Sequence, residues 1–179
     1  MLIRLLVCAA MGAARLLELA YSRRNIASAG PTTEGRWSRR TYPLMVALHT
    51  ATILLTAVRG SSRPSWPFLV ALFAVQPLRI WVIRTLGPRW NTRAAVPGSM
   101  SVETGGPYRF VRHPNYTVVA VELAALPLAF RLPGLALVAS LANAALLSLR
   151  IPEEERLLER LPGYVDHFGH RPRFIPGLF

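Results

Sequence analysis

The chain has 179 residues, of which 52% are apolar and only 17% charged, and its mean hydropathy is +0.32. Its formal charge of +12 is carried by 21 arginines with no lysine. The apolar excess argues for a small bundle of membrane helices, and the single cysteine, Cys8, excludes a disulfide framework or a thiolate metal cluster.

Residues 2–21 read as a first helix, with Cys8 as a packing residue. Arg15 and Glu18 are three apart and can pair on one face. An ion pair in a membrane helix faces the bundle or lies near its end. These charges interrupt the apolar run and no small-residue cleavage site follows, so the segment reads as a retained helix rather than a signal peptide. A polar connection over 22–42 carries Arg23, Arg24, Arg36, Arg39 and Arg40. Residues 43–58 predict a short second helix and 66–84 a third, kinked at Pro77.

Residues 86–115 form a long polar segment, and connections of this length in a small protein are functional or disordered. Its end, GGPYRFVRHPNY over 105–116, is rich in rings and arginines. Gly105, Gly106 and Pro107 punctuate the chain, while Pro114 biases His113 away from helical geometry and suits a new helix start. A structured loop entering a helix is expected. Free N–H groups at such a start attract anionic or electron-rich groups, and Tyr108, His113, Asn115 and Tyr116 offer ring faces and hydrogen-bond partners beside them.

Residues 116–130 and 132–149 predict a tight helical hairpin, turned by Arg131, Leu132, Pro133 and Gly134, with Glu122 in its first arm in need of a partner. From residue 151 the chain turns polar and amphipathic and ends in a tail rich in Pro, Gly and aromatics. If helical geometry continues through Pro152, Arg150 and Glu154 share one face beside Glu153 and Glu155. That places a cation and an anion one turn apart at the mouth of the bundle.

The expected fold is therefore all-α: a polytopic membrane helix bundle of about five transmembrane helices, with a cytoplasmic loop and C-terminal tail. Residues 1–84 would form the N-terminal helices and 85–179 the core of the activity. Five spans put the first connection, the long loop and the tail on one side, where fifteen arginines face four on the other. Such a positive-inside pattern places that side in the cytoplasm and explains the charge without nucleic acid.

The order of motifs resembles the isoprenylcysteine carboxyl methyltransferase family. G-P-Y-R-x-x-R-H-P-N-Y is followed by an apolar hairpin, Arg150, the run Glu153, Glu154 and Glu155, then Pro162-Gly163-Tyr164 and Arg173-Phe174-Ile175-Pro176. The resemblance covers roughly residues 86–176, about half the chain. It implies an integral membrane enzyme that uses S-adenosyl-L-methionine. Tyr108, His113, Pro114, Asn115 and Tyr116 match positions lining that cofactor, and Glu154 matches the acidic residue at its amino acid end. Ser101, Val102 and Glu103 match a backbone-rich contact segment, with Glu103 where an apolar residue is commoner. Arg150 matches the arginine near the substrate acid, with Arg112 as a second orienting group.

Methyl transfer of this kind needs no metal. A carboxylate acceptor, with a pKa near ~4, is already ionised at neutral pH, whereas a phenol, near ~10, benefits from a base. His113 is the nearest candidate by sequence. His49 reads as a polar packing residue of the second helix, and His167 and His170 lie in the tail. The N-terminal third is similar to a bacterial branch of the family, in the inner membrane, which points to a lipid-like acceptor such as an alkylated aromatic. The competing readings are N-methylation of a phospholipid amine, a sterol reductase, for which the chain is too short, and a membrane subunit whose loop docks a partner.

Overall fold

The computed structural model describes residues 1–97 and 101–177; residues 98–100 of the long loop and the last two tail residues lie outside the described residues. The chain is helical almost throughout. In order come α1 (Leu2–Ser28), α2 (Arg36–Arg59), α3 (Trp66–Ala74), α4 (Gln76–Leu86), α5 (Pro114–Ala129), α6 (Pro133–Leu158) and a short α7 (Tyr164–Phe168). A two-residue antiparallel pairing of β1 (Thr32–Thr33) with β2 (Val96–Pro97) ties the first connection to the long loop.

Several helix ends differ from the sequence expectation, each for a physical reason. Helix α2 starts at Arg36 and carries Pro43 inside it instead of opening there. One of its first-turn amides, free of any intrahelical partner, finds a cap from far along the chain: Ser38 N donates to Glu153 Oε2 at 2.9 Å. The third helix parts at Val75 rather than bending at Pro77, leaving Pro77 in the first turn of α4, where its missing N–H costs least. Gln76 Nε2 donates to Leu72 O across the break at 2.9 Å. Helix α6 runs through Pro152 to Leu158, because Arg150, Ile151 and Glu155 are buried and anchor its last turns.

Helix α5 forms the centre of the bundle, packing against α6, α3, α4 and α2. Ten of its sixteen residues are buried, so its length of about 24 Å, at 1.5 Å per residue, is enclosed by α2, α6 and the successive α3 and α4. Among the described residues three helical stretches are long and apolar enough to cross a membrane: Arg36–Arg59, Trp66–Arg89 and Pro133–Leu158. Their outward faces carry exposed Leu44, Leu54, Val70, Phe73, Leu137 and Leu141. The end of the bundle away from the long loop closes on Val7, Cys8, Met11, Leu72, Ala129 and Phe130.

A polar cluster crosses this bundle. Arg15 Nη2 lies 2.7 Å from Glu18 Oε1, as the three-residue spacing predicts, and 3.5 Å from Glu122. Arg79 pairs with Glu122 and reaches Glu18 at 3.3 Å, while Gln76 Nε2 donates to Glu122 at 2.9 Å. The partner that Glu122 requires is thus supplied by α1 and α4 together.

Candidate active site

The long loop folds over the arginine-rich end of the bundle and is held there by side chains. Asn25 Nδ2 of α1 donates to Gly87 O at 3.1 Å and to Trp90 O at 2.7 Å. Ser22 Oγ accepts from Thr92 N at 2.9 Å. Asn91 Oδ1 accepts from Arg93 N and Ala95 N, both at 3.0 Å, which shapes the turn where Ala94 takes a φ of 55°. Farther on, Arg89 pairs with Glu103 and donates to Ser101 O at 3.1 Å.

Between this loop, the bundle and the tail lies a cavity of about 450 Å³. Its upper wall is made by Trp90, Thr92, Val102, Glu103 and Tyr108, and its inner wall by Asn115 and Tyr116 of α5 and by Arg150 and Glu154 of α6. Tyr164 and Phe168 of α7 complete it from the tail side, while a groove between α1 and α2 continues it along Leu16, Leu19, Val46 and Ile53. The volume falls in the range of small-molecule sites.

Glu154 and Arg150 lie one turn apart on α6, and both meet the Tyr116 hydroxyl. Arg150 Nε donates to that oxygen at 3.0 Å, and the hydroxyl donates to Glu154. Arg150 is only 2% exposed; its Nη2 donates to Thr92 O at 2.7 Å and its Nη1 to Met45 Sδ at 3.4 Å. The arginine therefore joins loop, α2, α5 and α6 in one network, and Glu154 is the carboxylate that this network presents to the cavity.

Helix α5 begins at Pro114, as expected, with His113 as its cap residue. His113 Nε2 lies 3.0 Å from Glu155 Oε1 and its ring lies tilted against that of Tyr116 at a centroid distance of 5.3 Å. Glu155 also takes Arg112 Nη1 at 3.2 Å and Arg173 Nη2 at 2.7 Å. The tail is bound to the loop by main chain as well: Arg112 N donates to Pro172 O at 2.9 Å and His113 N to Arg173 O at 2.8 Å. Burial, with the Glu154 and Glu103 carboxylates nearby, pushes the Tyr108 phenol well above its ordinary range, and burial beside Glu155 does the same for Tyr164. Both present neutral hydroxyls.

The structure thus gathers Val102, Glu103, Tyr108, Arg112, His113, Asn115, Tyr116, Arg150 and Glu154 on one cavity. Ser101 and Pro114 stand off it. Ser101 is exposed and held by Arg89, and Pro114 is buried beneath the helix start. Sequence reasoning missed Glu155 as the hub between loop and tail, Thr92 as the acceptor for Arg150, and Trp90, which is buried in the wall with its indole Nε1 unpartnered among the described residues. Only its place in the run Glu153, Glu154 and Glu155 marked Glu155, and nothing marked the other two.

The match to known proteins follows this geometry. The model of the isoprenylcysteine carboxyl methyltransferase (ICMT) family matches residues 68–160, from α3 through the loop to the end of α6, and the chain belongs to that family. It is also similar to the uncharacterized protein YpbQ of Bacillus subtilis (strain 168), with 29% identity over 151 residues that cover 81% of this chain and 90% of that protein. With its three apolar helices, the chain is an integral membrane protein of a methyltransferase family. The tail that supplies Tyr164 and Phe168 lies beyond the matched segment.

Proposed function

We propose that the protein is an S-adenosyl-L-methionine-dependent O-methyltransferase acting on a carboxyl or hydroxyl group of a lipid-like molecule. The observation that carries this reading is Glu154, whose carboxylate opens onto the cavity one turn from Arg150 and has the Tyr116 hydroxyl as its partner. The donor set fits the cofactor. A carboxylate and the ring of Tyr108 suit its cationic groups, and the unpartnered indole N–H of Trp90 and the side chain of Asn115 suit its polar edges.

When bound, the cofactor supplies an electrophilic methyl group on a sulfonium. The chain's own contribution is to hold both reactants at attack distance and keep water out. Such positioning is worth up to about 7–11 kcal/mol of the barrier. Arg150 fixes Tyr116 and Glu154, Arg112 fixes Glu155, and the docked tail closes the cavity through Tyr164 and Phe168. The groove between α1 and α2 admits an apolar chain from the bilayer. The excess of arginine at the loop end supports a cytoplasmic orientation of this site in a bacterial inner membrane.

Calorimetric titration of the detergent-solubilised protein with S-adenosylhomocysteine tests the reading. Saturable binding is expected, lost in Glu154→Ala while the protein stays folded. Absence of binding to the folded wild type would overturn it. Radiolabelled methyl incorporation into lipid extracts then separates carboxyl, hydroxyl and amine acceptors, and Arg150→Ala should lower turnover by disordering Tyr116 and Glu154.

A further inference from the structure

Five arginines line the cavity, and each is matched. Arg15 and Arg79 meet Glu18 and Glu122, Arg89 meets Glu103, Arg112 meets Glu155, and Arg150 meets Glu154 through the Tyr116 hydroxyl. Among the described residues no lining cation is left over to neutralise a carboxylate acceptor. A neutral hydroxyl fits this lining better, and an unionised hydroxyl needs somewhere to send its proton. The base suggested by sequence, His113, has its Nε2 engaged by Glu155 in a ring only 4% exposed.

His49 of α2 is differently placed. It lines the same cavity, one helical turn from Met45, whose sulfur touches Arg150 Nη1. Its Nδ1 lies 2.8 Å from Met45 O. A carbonyl oxygen only accepts, so Nδ1 carries the proton, and in the neutral ring Nε2 keeps its lone pair. Among the described residues Nε2 has no hydrogen-bond partner on the chain. The charged groups around the ring are Arg15 on α1, Arg79 on α4 and Glu122 on α5.

We infer that His49 is the general base of the reaction and that the acceptor is a lipid hydroxyl, phenolic or enolic, whose polar end sits at the junction of cavity and groove. This rests on the methyl-transfer reading. The acceptor's O–H bond breaks and its proton goes to His49 Nε2. The oxygen forms a bond to the sulfonium methyl, the old carbon–sulfur bond breaks with its electron pair left on sulfur, and the imidazolium returns its proton to water.

The test uses the full-length protein in detergent with two lipid acceptors, a long-chain alkylphenol and its nitro-substituted counterpart, which is already ionised at mildly alkaline pH. His49→Asn keeps an N–H for the Met45 carbonyl and removes the basic nitrogen. The rate ratio of nitrophenol to alkylphenol lipid should rise about 10²-fold or more in the variant, since a general base contributes about 10²–10⁴. The second readout is not activity. With S-adenosylhomocysteine present, absorbance of the bound nitrophenol lipid should show its ionisation displaced to higher pH in His49→Asn. An unchanged ratio and unchanged ionisation would overturn the assignment. So would equal loss with both acceptors, which marks a structural role. If the wild type binds S-adenosylhomocysteine but methylates neither phenol, the hydroxyl assignment fails alone; if it does not bind, the methyl-transfer reading fails with it.

Discussion

Replacing Glu155 by Gln should undock the tail before it unfolds the bundle. The carboxylate takes His113 Nε2 at 3.0 Å, Arg173 Nε at 3.1 Å and Nη2 at 2.7 Å, and Arg112 Nη1 at 3.2 Å. Arg112 and Arg173 have side chains 23% and 35% exposed, so solvent screens both pairs and each contributes about 0.5–1 kcal/mol. The His113 contact is buried on both sides, and disturbing it costs about 1–3 kcal/mol. Together the loss is about 2–5 kcal/mol, which is some 30-fold to several 10³-fold in the docking equilibrium. Hydrogen exchange reads this directly, because the amides of Arg112 and His113 are protected by Pro172 O and Arg173 O only while the tail is seated. Those two amides should exchange faster by that factor, while amides in the middle of α5 stay protected. Unchanged exchange at Arg112 and His113 would refute the role of Glu155 as the hub, whatever happened to the melting temperature.

Glu122→Leu leaves Arg15 and Arg79 to share Glu18 inside the bundle and should destabilise it by about 3–5 kcal/mol in detergent denaturation, and Glu122→Leu with Arg79→Met should recover more than half of that. A Cβ at Gly35 would run into the Glu153 carboxylate that caps α2, so Gly35→Ala should cost about 0.5–2 kcal/mol. Gly134→Ala, which meets nothing within 4 Å, should be neutral or slightly stabilising in the same assay. Burial raises Tyr108 and Tyr164 above the unfolded tyrosine value near ~10. Their contribution is therefore fully present below about pH 10 and is lost as pH rises towards the folded values. Spectrophotometric titration should show their ionisation appearing together with unfolding rather than before it.

What could be read from the chain was whatever is local. Arg150 and Glu154 stand four apart, Arg15 and Glu18 three apart, and Pro114 follows a residue it forces out of the helix, so these relations survive any uncertainty about the fold. Glu122 could be seen to need a partner, but Arg79 and Arg15 are 43 and 107 residues away, and only packing around α5 brings them together. The same holds for Glu155, whose partners arrive from a loop 42 residues earlier and a tail 18 residues later. Pro43 misled for a related reason: it looked like a helix start, and the contact of Ser38 with Glu153 carries the helix across it.

The arginine content makes sense at this level too. Arg23, Arg24, Arg36, Arg39, Arg40, Arg109, Arg156 and Arg160 are exposed around the loop end and account for much of the +12 charge. The arginines of the cavity are instead matched by carboxylates, so a strongly basic chain encloses a site with little net charge. The two populations have separate work. Under the proposed orientation the exposed guanidinium groups would set the bundle against the membrane, and with no carboxylate partner among the described residues they contribute nothing to the cavity. Paired ones fix Tyr116, Glu154 and Glu155 in place. Removing an exposed arginine should therefore leave cofactor binding alone, whereas removing a paired one strands a buried carboxylate and disturbs the side chain it was holding.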